Sequence, residues 1–349
     1  MEVTSIKINK NEIGGKSCYI IAEIGQAHDG SLGTAHAYID AVSKTGVNAI
    51  KFQTHIAAEE STRHEQFRVK VFPQDETRYD YWKRMEFTPE QWKGLAEHAA
   101  EVGLDFLSTP FSLSAIELLQ DIDIPAFKVG SGDTNNRQLI EALIETKKPI
   151  LLSTGMSNYS ELDDIVNKIK SSDSPLAIFQ CTTSYPCGPK DIGYNVIDEL
   201  RHKYNVPVGL SDHSGTIFPS IASVALGAKL IEVHTVFSKQ CFGPDTKSSV
   251  TIDELKYLVD GIRFVEAGIN SKVNKSEQAE ARVETKKLFS RSAFFIKDIK
   301  KGATLSRSDF AMKKPGGGLT YDEALRFIGK QLKVNKSFDD YLNIGDFDE

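Results

Sequence analysis

Two histidines stand at the ends of two short apolar runs. PVGLSD (207–212) leads into His213, KLIEVH (229–234) ends on His234, and a helical stretch separates them. Each histidine has an acid just before it, Asp212 and Glu232. Short apolar strands joined through a helix form a parallel strand–helix–strand unit. Parallel strands of a closed barrel share one carboxyl-end face, and catalysis sits there. Two imidazoles at neighbouring ends can share one divalent cation and leave positions open for water or substrate. A single histidine at a strand end is better explained by a hydrogen bond to a backbone carbonyl. Two at equivalent ends favour a metal.

A second kind of chemistry is written in two lysines. Lys51 and Lys128 interrupt apolar runs, in IKF and FKV, where a charge is costly unless paired. Together with nearby hydroxyls and the GSG turn at 130–132 they would make a pocket for phosphate and carboxylate. The competing reading pairs them with Glu23 and Asp133 as structural ion pairs. The ends of the other strands add Gln53 with His55 beyond it, Ser108 and Thr109, Ser131, Ser153, and Thr182, Thr183 and Tyr185.

Eight strands must carry these residues. Apolar runs at 18–24, 47–53, 103–109, 125–130, 149–154, 175–181, 207–212 and 229–234 alternate with helical patterns. Thr88-Pro89-Glu90 is one clear helix entry, with proline in the first turn and an acid at the positive end. This alternation predicts an α/β fold, a (β/α)8 TIM barrel. No GxGxxG follows the first strand, so a dinucleotide site is not expected. A hairpin-like lead-in over 3–15 suits a plug under the barrel. The connection at 54–87 exceeds usual loop lengths and mixes Arg and Lys with Tyr79, Tyr81 and Trp82, which suits a lid as well as a packed surface loop. The catalytic domain is expected over 1–269 and a polar linker over 270–287. A second unit follows over 288–349, about sixty residues and close to the size where a core is marginal.

The totals fit this plan. The chain has 349 residues, 40% hydrophobic and 26% charged, with a net charge of −6. That balance disfavours non-specific binding to nucleic acid or anionic membrane, and no apolar run approaches spanning length. Cys18, Cys181, Cys187 and Cys241 form no CxxC, and the opening MEVTSIKINKNEIGG lacks the apolar core of a signal peptide. A reduced, cytoplasmic protein is expected.

The motifs AEIGQAHDGS, KFQTH, FLSTPFS, KVGSGD, LSTGM, CTTSYP, GLSDHS and EVH with a later GPD resemble, in order, the bacterial sialic acid synthase family. That family includes legionaminate and pseudaminate synthases and spore-coat polysaccharide relatives. KDIKKGATLS and KKPGGG resemble its C-terminal antifreeze-like (SAF) domain. The resemblance covers nearly the whole chain. It implies condensation of phosphoenolpyruvate with N-acetylmannosamine or a related acylamino sugar, giving a nine-carbon 2-keto sugar acid and phosphate. It implies a divalent cation, manganese first, with magnesium or cobalt as substitutes. It further implies a domain-swapped homodimer in which the SAF domain of one subunit caps the other's barrel. Carried over by position, His213 and His234 match the metal ligands and Glu23 the central acid. Lys51, Thr109, Lys128 and Ser131 match the phosphoenolpyruvate pocket, with Ser153 added. Gln53, Phe111, Tyr185 and Asp245 match positions around the sugar.

Three positions depart from the family pattern: Asp133 where GSGE is usual, Thr183 where asparagine is usual, and Lys314 where an arginine reaches across the dimer. All three bear on the sugar. A 2,4-diacetamido-6-deoxy acceptor, as in legionaminate synthesis, is therefore the alternative. Two other classes stay in view: a metal-dependent aldolase using pyruvate, and a non-catalytic carbohydrate-binding protein.

Overall fold

The computed structural model describes residues 4–70 and 72–347. It divides into two compact units, residues 1–271 and 272–349.

In the first unit, strands β1 (Ile6–Ile8) and β2 (Asn11–Ile13) form an antiparallel hairpin. Eight parallel strands follow: β3 (Tyr19–Gly25), β4 (Ala49–Thr54), β5 (Asp105–Pro110), β6 (Phe127–Val129), β7 (Ile150–Ser153), β8 (Leu176–Cys181), β9 (Val208–Asp212) and β10 (Leu230–Val236). They pair in chain order, and β10 pairs with both β9 and β3, so the sheet closes into a barrel. The expected strands are all present. His213 follows the last residue of β9, where the run 207–212 puts it, while β10 runs two residues beyond His234.

Two apolar layers hold the barrel. Outside, strands and helices bury a large shared core. The helix Pro89–Glu101 shows how the sequence builds it. Thr88 and Gln91 form a reciprocal capping box, Pro89 opens the first turn, and Trp92, Leu95 and Ala99 at helical spacing face inward. Inside, side chains alternate along each strand. Tyr19 and Ile21, Ala49, Leu107, Ala126, Leu151, Ala177, Phe179 and Leu230 fill the lower interior and pack on Ile6, Ile8 and Ile13 of the hairpin. The next inward positions along those strands are polar. Alternation therefore sends Glu23, Lys51, Thr109, Lys128, Ser153 and Glu232 into the top of the barrel.

The same parity explains the polar residues that do not face inward. Ser108 bonds Thr54 at 2.7 Å, and Asp212 accepts from Ser220 at 2.9 Å. Asp212 is thus structural, although it sits next to His213. The connection at 54–87 is not an irregular loop throughout. It holds helices at Ala57–Glu60 and Arg78–Met85 and its own small core of Ala57, Phe72, Tyr81, Trp82 and Met85.

The second unit begins with helices at Lys275–Glu280 and Val283–Phe289, inside and just past the segment expected as a linker. Strands β11 (Ser292–Phe295) and β12 (Phe310–Lys313) then pair antiparallel, and a short helix covers Tyr321–Leu325. Its core includes Phe295, Leu305, Phe310, Leu332 and Leu342.

Candidate active site

A cavity of about 480 Å³ opens at the carboxyl ends of the barrel strands. Strand register sets its floor. Lys51, Glu23 and His234 lie opposite one another on β4, β3 and β10. Lys51 reaches Glu23 at 2.6 Å and Glu232 at 3.8 Å, and Lys128 reaches Glu232 at 3.5 Å. All four are buried. The floor is therefore a charge quartet of two lysines and two carboxylates. Lys128 pairs with Glu232, not with Asp133 as the structural alternative had it.

Hydroxyls complete the floor. Lys51 donates to Thr109 at 3.1 Å and Lys128 to Ser153 at 2.6 Å. Ser211 donates to Glu232 Oε1 at 3.1 Å, while Glu232 Oε2 has no hydrogen-bond partner among the described residues. Glu23 Oε1 accepts from Gln53 Nε2 at 2.8 Å. Ser131 accepts from the Gly155 N–H at 3.0 Å and lies 3.5 Å from the Cys181 thiol. Gly155 is needed at that point. A Cβ there would stand 2.4 Å from Thr183 Oγ1 and 2.9 Å from both Ser131 Oγ and Cys181 Sγ. Its absence lets three polar side chains converge.

The two carboxylates are not equivalent. Burial, aided by the charge of Glu232, pushes Glu23 up to about 7 against the pull of Lys51. Burial opposes ionisation of Glu232 as well, but Lys128 and Lys51 on either side hold it down to about 2. The lysines differ for the same reason. Burial works against Lys51, yet Glu23 and Glu232 outweigh it and raise its pKa, whereas burial wins at Lys128 and lowers it. The floor thus holds one permanently ionised acid between two lysines and one acid poised near neutrality.

His213 and His234 flank the floor, with ring centroids 5.5 Å apart. His213 Nδ1 lies 2.9 Å from the Thr182 carbonyl, which fixes the proton on Nδ1 and leaves Nε2 a lone pair, 3.2 Å from the Tyr185 hydroxyl. Burial holds His234 down to about 4, so it is neutral at physiological pH. Burial opposes a charge on His213 too, but the Cys181 thiol and the Thr182 carbonyl outweigh it and raise its pKa, so a divalent cation at this pair would bind in competition with a proton on His213. Among the described residues no cluster of three or more His, Cys, Asp or Glu forms a metal-binding group. A cation held by the pair would therefore keep most of its coordination sphere for water and substrate.

The outer wall comes from the connection at 54–87 and the loops after β8 and β10. His55 stacks between Trp82 (4.0 Å, 17°) and Phe111 (4.5 Å, 7°), and its Nδ1 lies 2.6 Å from Glu60. Its other nitrogen faces Gln26 at 3.0 Å, and Gln26 in turn bonds Gln53. Arg68 pairs with Asp245 at 2.6 Å and lies over the Tyr185 ring at 4.4 Å. Arg78 pairs with Glu65 at 3.1 Å.

Every site residue carried over from the family lines this cavity except Lys314; of the other strand-end residues, His55 lines it and Ser108, Thr182 and Asp212 do not. Lys314 belongs to the second unit, where its ammonium lies 5.3 Å from the Phe289 ring centre. The sequence reading named Glu232 only as the acid before His234, without a role, and left out Ser211, Gln26 and Arg68. Glu232 had a usable signal, since it sits two residues before His234 on the same face of a strand. Arg68 had none, because nothing in a long polar connection says which cation folds inward.

The comparisons agree with this geometry. The NeuB family model matches residues 38–274. The chain is 31% identical to the N,N'-diacetyllegionaminic acid synthase of Campylobacter jejuni, over 94% of this chain and 99% of that one. It is also 31% identical to the human N-acetylneuraminate-9-phosphate synthase, over 95% and 93% of the two chains. The sialic acid synthetase structure from Leptospira borgpetersenii superposes with a TM-score of 0.72 at 29% identity, covering 81% of this chain and 97% of that one. A model match across most of the barrel, with relatives aligned nearly end to end, places the assignment beyond the fold alone: the chain belongs to the NeuB family.

Proposed function

We propose that this protein is an enzyme that condenses phosphoenolpyruvate with an acylamino sugar, N-acetylmannosamine or a 2,4-diacetamido-6-deoxy relative, to give a nine-carbon 2-keto sugar acid and phosphate. The observation that carries the reading is the pairing of a buried two-lysine floor with two imidazoles, His213 and His234, in one cavity. The names of the relatives, legionaminic and sialic acid synthases among them, point the same way.

In this mechanism Lys51 and Lys128 bind the carboxylate and phosphate of phosphoenolpyruvate, with Thr109, Ser131 and Ser153 donating alongside. Enzymes of this family are in general metal-dependent. A divalent cation held by His213 and His234, manganese by our reading, supplies Lewis-acid polarisation of the sugar's aldehyde oxygen. The enol carbon attacks the aldehyde carbon, the new C–C bond forms, and the aldehyde oxygen takes up a proton to become a hydroxyl. Positive charge develops at the ester carbon, and ionised Glu23 stabilises it. Water adds to that carbon and loses a proton. The hydroxyl so formed gives up its proton as the C–O bond to phosphate breaks, leaving the ketone and a phosphate that carries the proton away. Gln53, held by Glu23, fixes that carboxylate's orientation. Phe111, Asp133, Thr183, Tyr185 and Asp245 line the space left for the sugar.

We read the C-terminal unit as an antifreeze-like cap working across a homodimer, with Lys314 reaching the partner's barrel. Support comes from the motif resemblance and from exposed apolar residues on the barrel helices, Phe218, Tyr257 and Phe264. Among the described residues no helix is long and apolar enough to cross a membrane, and all four cysteines are free. A cytoplasmic enzyme accords with both.

The test is phosphate release from phosphoenolpyruvate with manganese, across N-acetylmannosamine and the diacetamido-deoxy sugar. Release with one sugar, abolished by chelator, supports the synthase. Metal binding without release for any sugar would overturn it.

A further inference from the structure

One buried imidazole beside the floor has a partner on every side. His55 follows the last residue of β4 and is sandwiched between the rings of Trp82 and Phe111. Trp82 is itself fastened, its Nε1 donating to Glu65 at 3.0 Å. Stacking fixes the plane of the imidazole, so its two nitrogens point in set directions. Nδ1 meets Glu60 at 2.6 Å, and Nε2 meets the amide nitrogen of Gln26 at 3.0 Å. His55 and Gln26 are buried, so water is no alternative partner for either.

These contacts run in one direction. An amide nitrogen donates and does not accept, so His55 Nε2 is the acceptor and the ring proton lies on Nδ1, toward the Glu60 carboxylate. Of the two N–H groups of Gln26, one goes to His55 and the other to Gln53 Oε1. With its oxygen taken, Gln53 turns its own amide nitrogen to Glu23 Oε1 at 2.8 Å. Glu60, His55, Gln26 and Gln53 thus form an ordered chain that ends on the central acid. Turning either amide, or moving the imidazole proton, would set two donors or two acceptors against each other at a buried contact. The far end matters because Lys51 has two duties. It pairs with Glu23 Oε2 at 2.6 Å, and in the mechanism above it also takes an anionic group of phosphoenolpyruvate. Once that lysine is shared with substrate, the bond from Gln53 keeps the carboxylate aimed.

We propose that Glu60, His55 and Gln26 are positioning residues that fix the Gln53 amide and, through it, the Glu23 carboxylate during condensation. The connection at 54–87, which carries His55 and Glu60, thereby helps set the turnover rate. This rests on the synthase reading above.

The experiment is steady-state phosphate release with manganese, phosphoenolpyruvate and whichever of the two sugars wild type uses, with thermal unfolding followed for each variant. His55→Phe keeps a ring in the stack and removes both nitrogens. It should lower kcat about tenfold, roughly the worth of one hydrogen bond to a charged group, with both KM values within about twofold of wild type. Glu60→Leu should do the same. Glu60→Gln still accepts from Nδ1 through its carbonyl oxygen and should stay within about threefold of wild type. The double variant separates positioning from a structural defect. Because the chain acts through Glu23, adding His55→Phe to Glu23→Gln should cost less than about twofold, where a structural defect would cost its full tenfold again. If His55→Phe does not fold, Glu60→Leu carries the same cycle. Unchanged kcat, a rise in sugar KM at constant kcat, or effects that multiply in the double variant would overturn the proposal. Wild type inactive on both sugars would instead remove the synthase reading, and this inference with it.

Discussion

At the floor of the cavity, Lys51 and Glu23 are 3% and 1% exposed and lock into a quartet with Lys128 and Glu232. At its rim, Arg68 and Asp245 form an ion pair of the same length, but their side chains are 40% and 16% exposed. The two pairs look alike on a distance list and differ in physics. Buried charges have lost their water, so each depends on its neighbours, and the quartet fixes four side chains at once. A half-exposed pair keeps water as an alternative partner, is screened by salt, and can open and re-form. The rigid floor suits a substrate that is always phosphoenolpyruvate. The looser rim suits the part of the site where related enzymes differ.

Four measurements would break or sharpen this contrast. The largest effect should come from Glu23→Gln. Turnover should fall by about a hundredfold or more, as for loss of a group that stabilises transition-state charge, with little change in substrate binding. Strong loss of binding at unchanged turnover would remove that role. Next, Glu232→Gln should destabilise the fold by about 3 kcal/mol, because it strips Lys128 and Lys51 of a shared buried partner. Asp245→Asn, also a loss of one carboxylate from an ion pair, should change stability by less than about 1 kcal/mol. Equal losses in urea unfolding would erase the distinction between floor and rim.

A third test uses pH. The pKa of Glu23 is raised from 4.5 to about 7 on folding, so the folded state prefers the protonated acid. Its contribution to stability is full below about 4.5 and is lost as pH rises through about 7. Glu232 runs the other way: its stabilising share is present above 4.5 and is lost as pH falls toward about 2. Activity that needs ionised Glu23 should climb over the window in which that residue's stabilising share declines, giving an acid limb in kcat/KM near pH 7. An acid limb near 4.5 would show that Glu23 is not the group being titrated. The smallest effect is expected from the second unit. Lys314→Ala should raise sugar KM several-fold, and mixing that variant with Glu23→Gln subunits should restore activity if the lysine acts across a dimer. No recovery on mixing would argue for action within one chain.

Much of this protein was legible in residue order. Eight apolar runs separated by amphipathic stretches already specify a barrel, because parallel strands joined by helices close in few ways. Polar residues at the run ends then lie on one face whatever the details. Lys51 and Lys128 announced themselves by being charged in apolar surroundings, and the histidines by their equivalent positions. What the sequence left open was which polar side chains meet. Strand parity turns Glu232 inward and Asp212 outward, though both precede a histidine; register then sets Glu23 between Lys51 and His234. The connection at 54–87 showed the same limit more strongly, since its helices and the inward turn of Arg68 depend on a small local core.

The sequence by itself determined the fold and the kinds of groups at its catalytic end, because hydrophobic periodicity and side-chain chemistry are local properties. The tertiary structure alone decided the pairings. Glu232 was paired with Lys128, Glu23 was left near neutrality and Arg68 was carried to the rim, because distances and burial depend on segments far apart in the chain.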